Sequence, residues 1–204
     1  MQKSKRRNQK GSASNRQYGR KRHVQKQISK ELQSWLINSL LVVFLVGVLF
    51  FLFAFRKHTV DGVSMVPFLK DGDRIVVKKT KEVERYALIT FEPRDQPGES
   101  FVKRVMGLPG DFIKVEENTL YLNSNDSFEG QKGLPDGTLK ITIASEVQLM
   151  LAGSSEIPEN HYFVLGDNRA KSNDSRSFGL ISKEQIEGIV VFRYFPFASI
   201  GSLR

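Results

Sequence analysis

The chain has 204 residues, with 31 Lys/Arg against 22 Asp/Glu and no cysteine. That length holds one sizeable domain plus appendages, and the missing cysteine excludes disulfides, thiolate catalysis and cysteine-bound zinc. The net charge of +9 is local: residues 1–34 carry eleven Lys/Arg against Glu31 alone, whereas residues 35–204 carry twenty Lys/Arg against twenty-one Asp/Glu.

Residues 1–34 read as a polar, basic, disordered tail with little to bury. The segment that follows explains its charge better than a nucleic-acid-binding arm does, and no nucleic-acid partner is expected. Residues 35–55, Trp35 to Phe55, contain no charged residue, and only Asn38, Ser39 and Gly47 interrupt the apolar run. At ~1.5 Å per residue, ~20 such residues span a hydrocarbon core, and Trp35 suits an interfacial anchor. The basic tail predicts a cytoplasmic N-terminus, with everything after Phe55 outside the cell membrane. The run exceeds the ~7–15 residues of a cleaved signal core, and Phe53-Ala54-Phe55 lacks the small residues of a cleavage site. A permanent anchor is therefore expected.

From Thr59 onward the composition is that of a β-rich soluble domain. Strands are predicted at Arg74–Lys78, Ala87–Glu92, Phe101–Met106, Phe112–Val115, Thr119–Leu122, Leu139–Ile143, Tyr162–Leu165 and Gly188–Tyr194. Turn signals lie between them, among them Asp71-Gly72-Asp73 and Pro135-Asp136-Gly137. One short helical turn is predicted after Ser182 as cap. Residues 116–158 are richer in Asn, Ser, Gly and Glu than their flanks, which reads as an insertion between two parts, 56–115 and 159–204, of one core.

Three stretches concentrate chemistry. In Phe101–Asp111 a period of two puts Phe101, Lys103 and Val105 on one face. An ammonium on a buried apolar face has its pKa lowered, which makes Lys103 a candidate general base; the competing reading is that it snorkels to solvent at a sheet edge. Ser64-Met65-Val66-Pro67 follows the apolar segment closely, and between Gly62 and Pro67 a tight backbone exposes a hydroxyl and an amide. Gly166–Gly179 crowds Asp167, Asn168, Arg169, Ser172, Asp174, Ser175 and Arg176 directly after an apolar strand. There, carboxylate–guanidinium pairs can brace a site and a serine hydroxyl can orient a lysine amine. Histidine is scarce, and His161 is the one candidate for a triad. A serine with a lysine base is the economical arrangement. Bringing a lysine from ~10.4 to ~7–8 takes about 4 kcal/mol.

Together SMVP, GDRIVV, FVKRVMGLPGD and GDNRAKSNDSR resemble, in order, the sequence boxes of bacterial type I signal peptidases, behind the anchor that family carries. The single anchor and compact insertion are similar to the shorter enzymes of Gram-positive bacteria. The resemblance implies a mainly β fold of coiled antiparallel sheets preceded by one transmembrane helix, and a serine endopeptidase that removes signal peptides from exported preproteins through an acyl-enzyme. It implies Ser64 as nucleophile and Lys103 as general base, with Ser172 hydrogen-bonded to the lysine. It further implies supporting pairs Asp174–Arg176 and Asp167–Arg104. The oxyanion and substrate-binding positions it implies are the Ser64 amide, Gly62 and Met65. Some members carry a hydroxyl where this chain has Gly62. No metal and no cofactor is expected; the expected partners are preproteins, the lipid bilayer and the protein export machinery.

Three other readings compete. A cytosolic self-cleaving serine/lysine peptidase lacks the anchor. A non-catalytic assembly factor for surface structures such as pili would have lost the serine or the lysine. An anchored ligand-binding β-domain leaves the polar boxes unexplained.

Overall fold

The computed structural model describes residues 30–130 and 133–203. The basic tail therefore lies, for residues 1–29, outside the described residues. The chain divides into two compact units, Met1–Phe53 and Ala54–Arg204.

The described part of the first unit is one helix, α1, Lys30–Ala54, of 25 residues. Leu36, Val43, Phe44 and Phe50 are among its many exposed apolar side chains. Apolar residues occur on all its faces, as on a helix built for lipid. The helix stops at Ala54 because Phe55 already pairs with Lys78 in a sheet.

All strand pairings in the second unit are antiparallel. Its strands are β1 (Phe55–Thr59), β2 (Arg74–Lys78), β3 (Leu88–Phe91), β4 (Phe101–Gly107), β5 (Phe112–Glu116), β6 (Thr119–Asn123), β7 (Leu139–Thr142), β8 (His161–Leu165), β9 (Ile181–Ser182), β10 (Ile186–Phe195) and β11 (Gly201–Ser202). The main sheet has the order β1-β2-β10-β3-β4-β8-β9, with β11 on β10; a second sheet has the order β5-β6-β7. Every predicted strand is present. β1, β9 and β11 are additions, and the sequence hides them for different reasons. β9 and β11 are only two residues long, and FRKHT in β1 has no apolar alternation.

β10 is the longest strand and pairs with β2, β3 and β11, with register shifts at Ile186/Gly188, Val190/Phe192 and Arg193/Phe195. Each such bulge adds local twist, so the sheet curls. Gly188 permits one of them: a Cβ there would overlap the Lys78 carbonyl.

Three apolar clusters fill the unit. One joins Met65 and Leu69 to Ile75, Val77 and Val190. A second holds Phe91, Val105 and Val164. The third packs the β5-β6-β7 sheet and the helix α2, Ser145–Leu151, against Phe163 and Leu165. Sequence patterning missed α2 because only Val147 and Leu151, four residues apart, are buried in its seven residues. The helical turn expected after Ser182 is present as a 3-10 turn, Lys183–Gln185, whose Gln185 side chain accepts the Ser182 backbone N–H at 2.9 Å.

Candidate active site

Lys103 sits mid-strand in β4 opposite Ile89 of β3. Its face is the buried one: Lys103 is 4% exposed and Val105 0%. The stem does not snorkel out. Its Nζ lies 5.1 Å from the Phe101 ring centroid and donates to Ser64 Oγ at 3.1 Å and to the Val102 carbonyl at 3.1 Å. Burial lowers the Lys103 pKa from 10.5 to about 8, against an opposing pull from the Asp174 carboxylate. Neutral amine and ammonium are thus both populated near physiological pH, which a general base needs.

Ser64 is presented by the β1–β2 connection, which is pinned at several points. Val60 N–H bonds Asp73 O at 2.8 Å, and Gly72 N–H bonds Val60 O at 2.9 Å. Gly62, at φ +85°, donates its N–H to Asp71 Oδ1 at 2.8 Å. Met65 and Leu69, 1% and 0% exposed, plug the loop into the core. Asp73 Oδ2 accepts from Lys70 N–H at 3.0 Å and from Arg193 Nη1 at 2.9 Å; the same Nη1 reaches Phe68 O at 3.0 Å. The Gly62 amide is thereby engaged, whereas the Ser64 and Met65 amides have no acceptor among the described residues. Those two N–H groups are available to an incoming oxygen.

The third wall is the loop after β8. Asp174, 0% exposed, caps the short helix α3, Ser175–Phe178. Its carboxylate accepts Arg176 Nε at 2.8 Å, Arg176 Nη2 at 3.0 Å and Gly166 N–H at 3.0 Å. Burial alone would raise its pKa; the Arg176 side chain and the Gly166 amide outweigh burial and hold it below the ordinary carboxylate range. Asp167 forms a two-pronged pair with Arg104, Nε at 2.8 Å and Nη2 at 2.7 Å. Arg104 also stacks on Phe68, 4.8 Å to the ring centroid.

Ser64, Lys103, Ser172, Asp174, Arg176, Asp167 and Arg104 thus line one region built from three chain segments. Ser172 differs in detail from the expectation. Its Oγ is buried and forms no hydrogen bond of ordinary geometry, and no bond joins it to Lys103, although it lies close enough to stabilise the Asp174 charge. His161 stands apart, at the opposite end of β8 from Gly166, with Nδ1 2.9 Å from Glu159 O.

Two contributors lie in the Gly166–Gly179 stretch singled out from the sequence, which gave neither of them a role of its own. Gly166 is where the segments touch: a Cβ there would lie 2.6 Å from the Ser64 carbonyl oxygen and overlap the Ser172 side chain. Asn168 N–H donates to Ser64 O at 3.0 Å, and its Nδ2 to Val63 O at 3.1 Å. Asp71 and Asp73 were legible only as turn formers; the turn signal itself was the clue to their side-chain bonds.

The family model described as "Signal peptidase, peptidase S26" matches residues 32–195. Signal peptidase IB of Staphylococcus aureus strain Mu50 is 36% identical over 187 residues, covering 84% of this chain and 93% of its own. Signal peptidase I of Bacillus licheniformis is 34% identical over 172 residues, covering 80% of this chain and 89% of its own. The crystal structure of a signal peptidase I from Enterococcus faecalis V583 is 30% identical, with a TM-score of 0.36, and covers 53% of this chain and 96% of that one. A match over most of its length, at this identity to two named peptidases, means that the chain belongs to the signal peptidase family, peptidase S26.

Proposed function

We propose that Ser64 is the nucleophile and Lys103 the general base with which this signal peptidase removes signal peptides from exported preproteins. The observation that carries the assignment is the 3.1 Å contact from a 4% exposed Lys103 to Ser64 Oγ. A lysine at its ordinary pKa is ~0.03% neutral at pH 7; at about 8 it is roughly 10% neutral, a gain of about 300-fold in competent base.

The steps follow from the geometry. Neutral Lys103 takes the Ser64 hydroxyl proton as Oγ attacks the scissile carbonyl carbon. The oxygen charge develops against the free Ser64 N–H, with the Met65 N–H beside it; Gly62 lends its conformation and not its amide, which Asp71 holds. The lysine ammonium then returns the proton to the leaving amine. Water, deprotonated by Lys103, releases the acyl group and restores the hydroxyl. Asp174–Arg176 and Asp167–Arg104 brace the loop that faces the pair, and Ser172, carried on that loop, adds to the stabilisation of the Asp174 charge. β1 is an edge strand that runs into the Ser64 turn. A precursor added as an extended strand there brings its scissile bond toward Oγ.

In this reading α1 anchors the enzyme in the cell membrane, with the basic tail cytoplasmic. The extracytoplasmic core is residues 56–115 and 159–204, with 116–158 as its insertion, and the bilayer and the export machinery are its neighbours. Full-length protein in proteoliposomes, given a preprotein whose signal ends in Ala-x-Ala, tests the assignment. Ser64→Ala and Lys103→Ala each abolish cleavage while far-UV circular dichroism stays unchanged. Retained cleavage in either variant removes that residue from its role.

A further inference from the structure

The two peptide units on either side of Ser64 are both held by one residue, Asn168. Its side-chain Nδ2 donates to the Val63 carbonyl at 3.1 Å, and its own backbone N–H donates to the Ser64 carbonyl at 3.0 Å. In a planar trans peptide the carbonyl and the following N–H point in opposite directions. Fixing Val63 O therefore fixes the direction of the Ser64 N–H, and fixing Ser64 O fixes that of the Met65 N–H. Neither of these two amides has an acceptor among the described residues.

The Val63 carbonyl has a second donor, Val66 N–H at 3.2 Å. That bond is local to the turn, so it sets the turn's internal shape but not its orientation toward the rest of the site. Among the described residues, the Asn168 carboxamide alone ties this peptide by a hydrogen bond to the loop that also carries Gly166, Asp167 and Asp174. Arg104, next to Lys103 in β4, grips the same loop through Asp167. A continuous path of side-chain bonds thus links the strand of the base to the peptide of the nucleophile's amide.

From this geometry we infer that Asn168 is a positioning residue, whose carboxamide aims the Ser64 N–H at the developing oxyanion. The inference rests on Ser64 being the nucleophile. Asn168 touches neither the reacting hydroxyl nor Lys103 through any hydrogen bond, so its removal acts on amide direction and leaves the base as it was. Losing an aimed donor costs about 10²–10³ in kcat, and tilting one without removing it costs less.

The test compares Asn168→Ala, Asn168→Asp and Ser64→Ala in the full-length enzyme, reconstituted and given the Ala-x-Ala preprotein across a pH series. Asn168→Ala keeps the backbone N–H bond and loses only the carboxamide. It is expected to lower kcat by about 10–100-fold with KM within about threefold, and to leave the pH at which the rate rises unmoved. Asn168→Asp has the same shape but turns an acceptor toward the Val63 carbonyl, and is expected to be at least as impaired. A kcat for Asn168→Ala within about threefold of the parent, a loss confined to KM, or a shifted pH limb overturns the inference. Should Asn168→Ala fail to fold, Asn168→Ser, a donor of shorter reach, is judged by the same criteria. If Ser64→Ala still cleaves, the nucleophile assignment fails first. If Ser64→Ala is inactive and Asn168→Ala is unimpaired, only the positioning role fails.

Discussion

Lys103, the proposed general base, is held buried at a cost to stability, and Lys103→Met measures that cost. Burial penalises the ammonium, so the folded chain binds this proton less tightly than the unfolded chain does. Above the unfolded value of 10.5 both states are neutral and no penalty exists; it grows as the pH falls toward about 8 and is complete below that. The shift is worth about 3 kcal/mol at ~1.36 kcal/mol per unit. Methionine keeps the unbranched stem and removes the charge. It also loses the bonds to Ser64 Oγ and Val102 O, together about 1–2 kcal/mol. The variant should therefore be more stable than the parent by about 1–2 kcal/mol near neutral pH, or about 2–8 °C in Tm. Its advantage should shrink by about 2 kcal/mol between about pH 6 and about pH 9.5 as the parent sheds its penalty. Denaturant unfolding followed by far-UV circular dichroism, at several pH values on both proteins, reads this directly. A variant that is less stable by the same amount at every pH would refute the claim that Lys103 is held against its charge.

In the proposed mechanism the same ionisation sets the rate: kcat/KM should rise about tenfold per pH unit and level off above about 8, and a rate flat from acid to alkaline pH would exclude Lys103 as the base. Gly166→Ala places a Cβ 2.6 Å from the Ser64 carbonyl oxygen, a backbone atom that cannot swing aside; about 100-fold in kcat should be lost, and normal turnover would show that the two segments are free to separate. Asp174→Asn removes the charge from a carboxylate that is 0% exposed, but its partner Arg176, 23% exposed, still reaches water. About 2–3 kcal/mol of stability should therefore go, below the ~3–5 kcal/mol of a fully buried pair. The denaturant midpoint at constant slope checks this. The Asp174 contribution is present above its ordinary value of 3.8 and is lost as the pH falls below it.

Much of this architecture was legible along the chain. Apolar residues alternate in β4 and crowd in β8 and β10, and a period of two is enough to give strands and to place Lys103 with Phe101 and Val105. A long uncharged apolar run is enough to give α1. Turn residues marked where β2 begins and β4 ends. These properties are set by neighbours a few residues apart, where the sterics of the backbone and the pattern of side chains act directly. Tertiary structure decided the rest. Whether Lys103 reaches solvent or stays buried depends on β3 beside it and on the Ser64 turn 39 residues away. Gly166 reads as an ordinary glycine until the Ser64 carbonyl and Ser172 close on it. Asn168 reads as one polar loop residue among several until the Val63 and Ser64 carbonyls come within its reach. Burial, and the pKa shift it produces, depend on everything that surrounds a group in space; the sequence specifies that environment only through the complete fold.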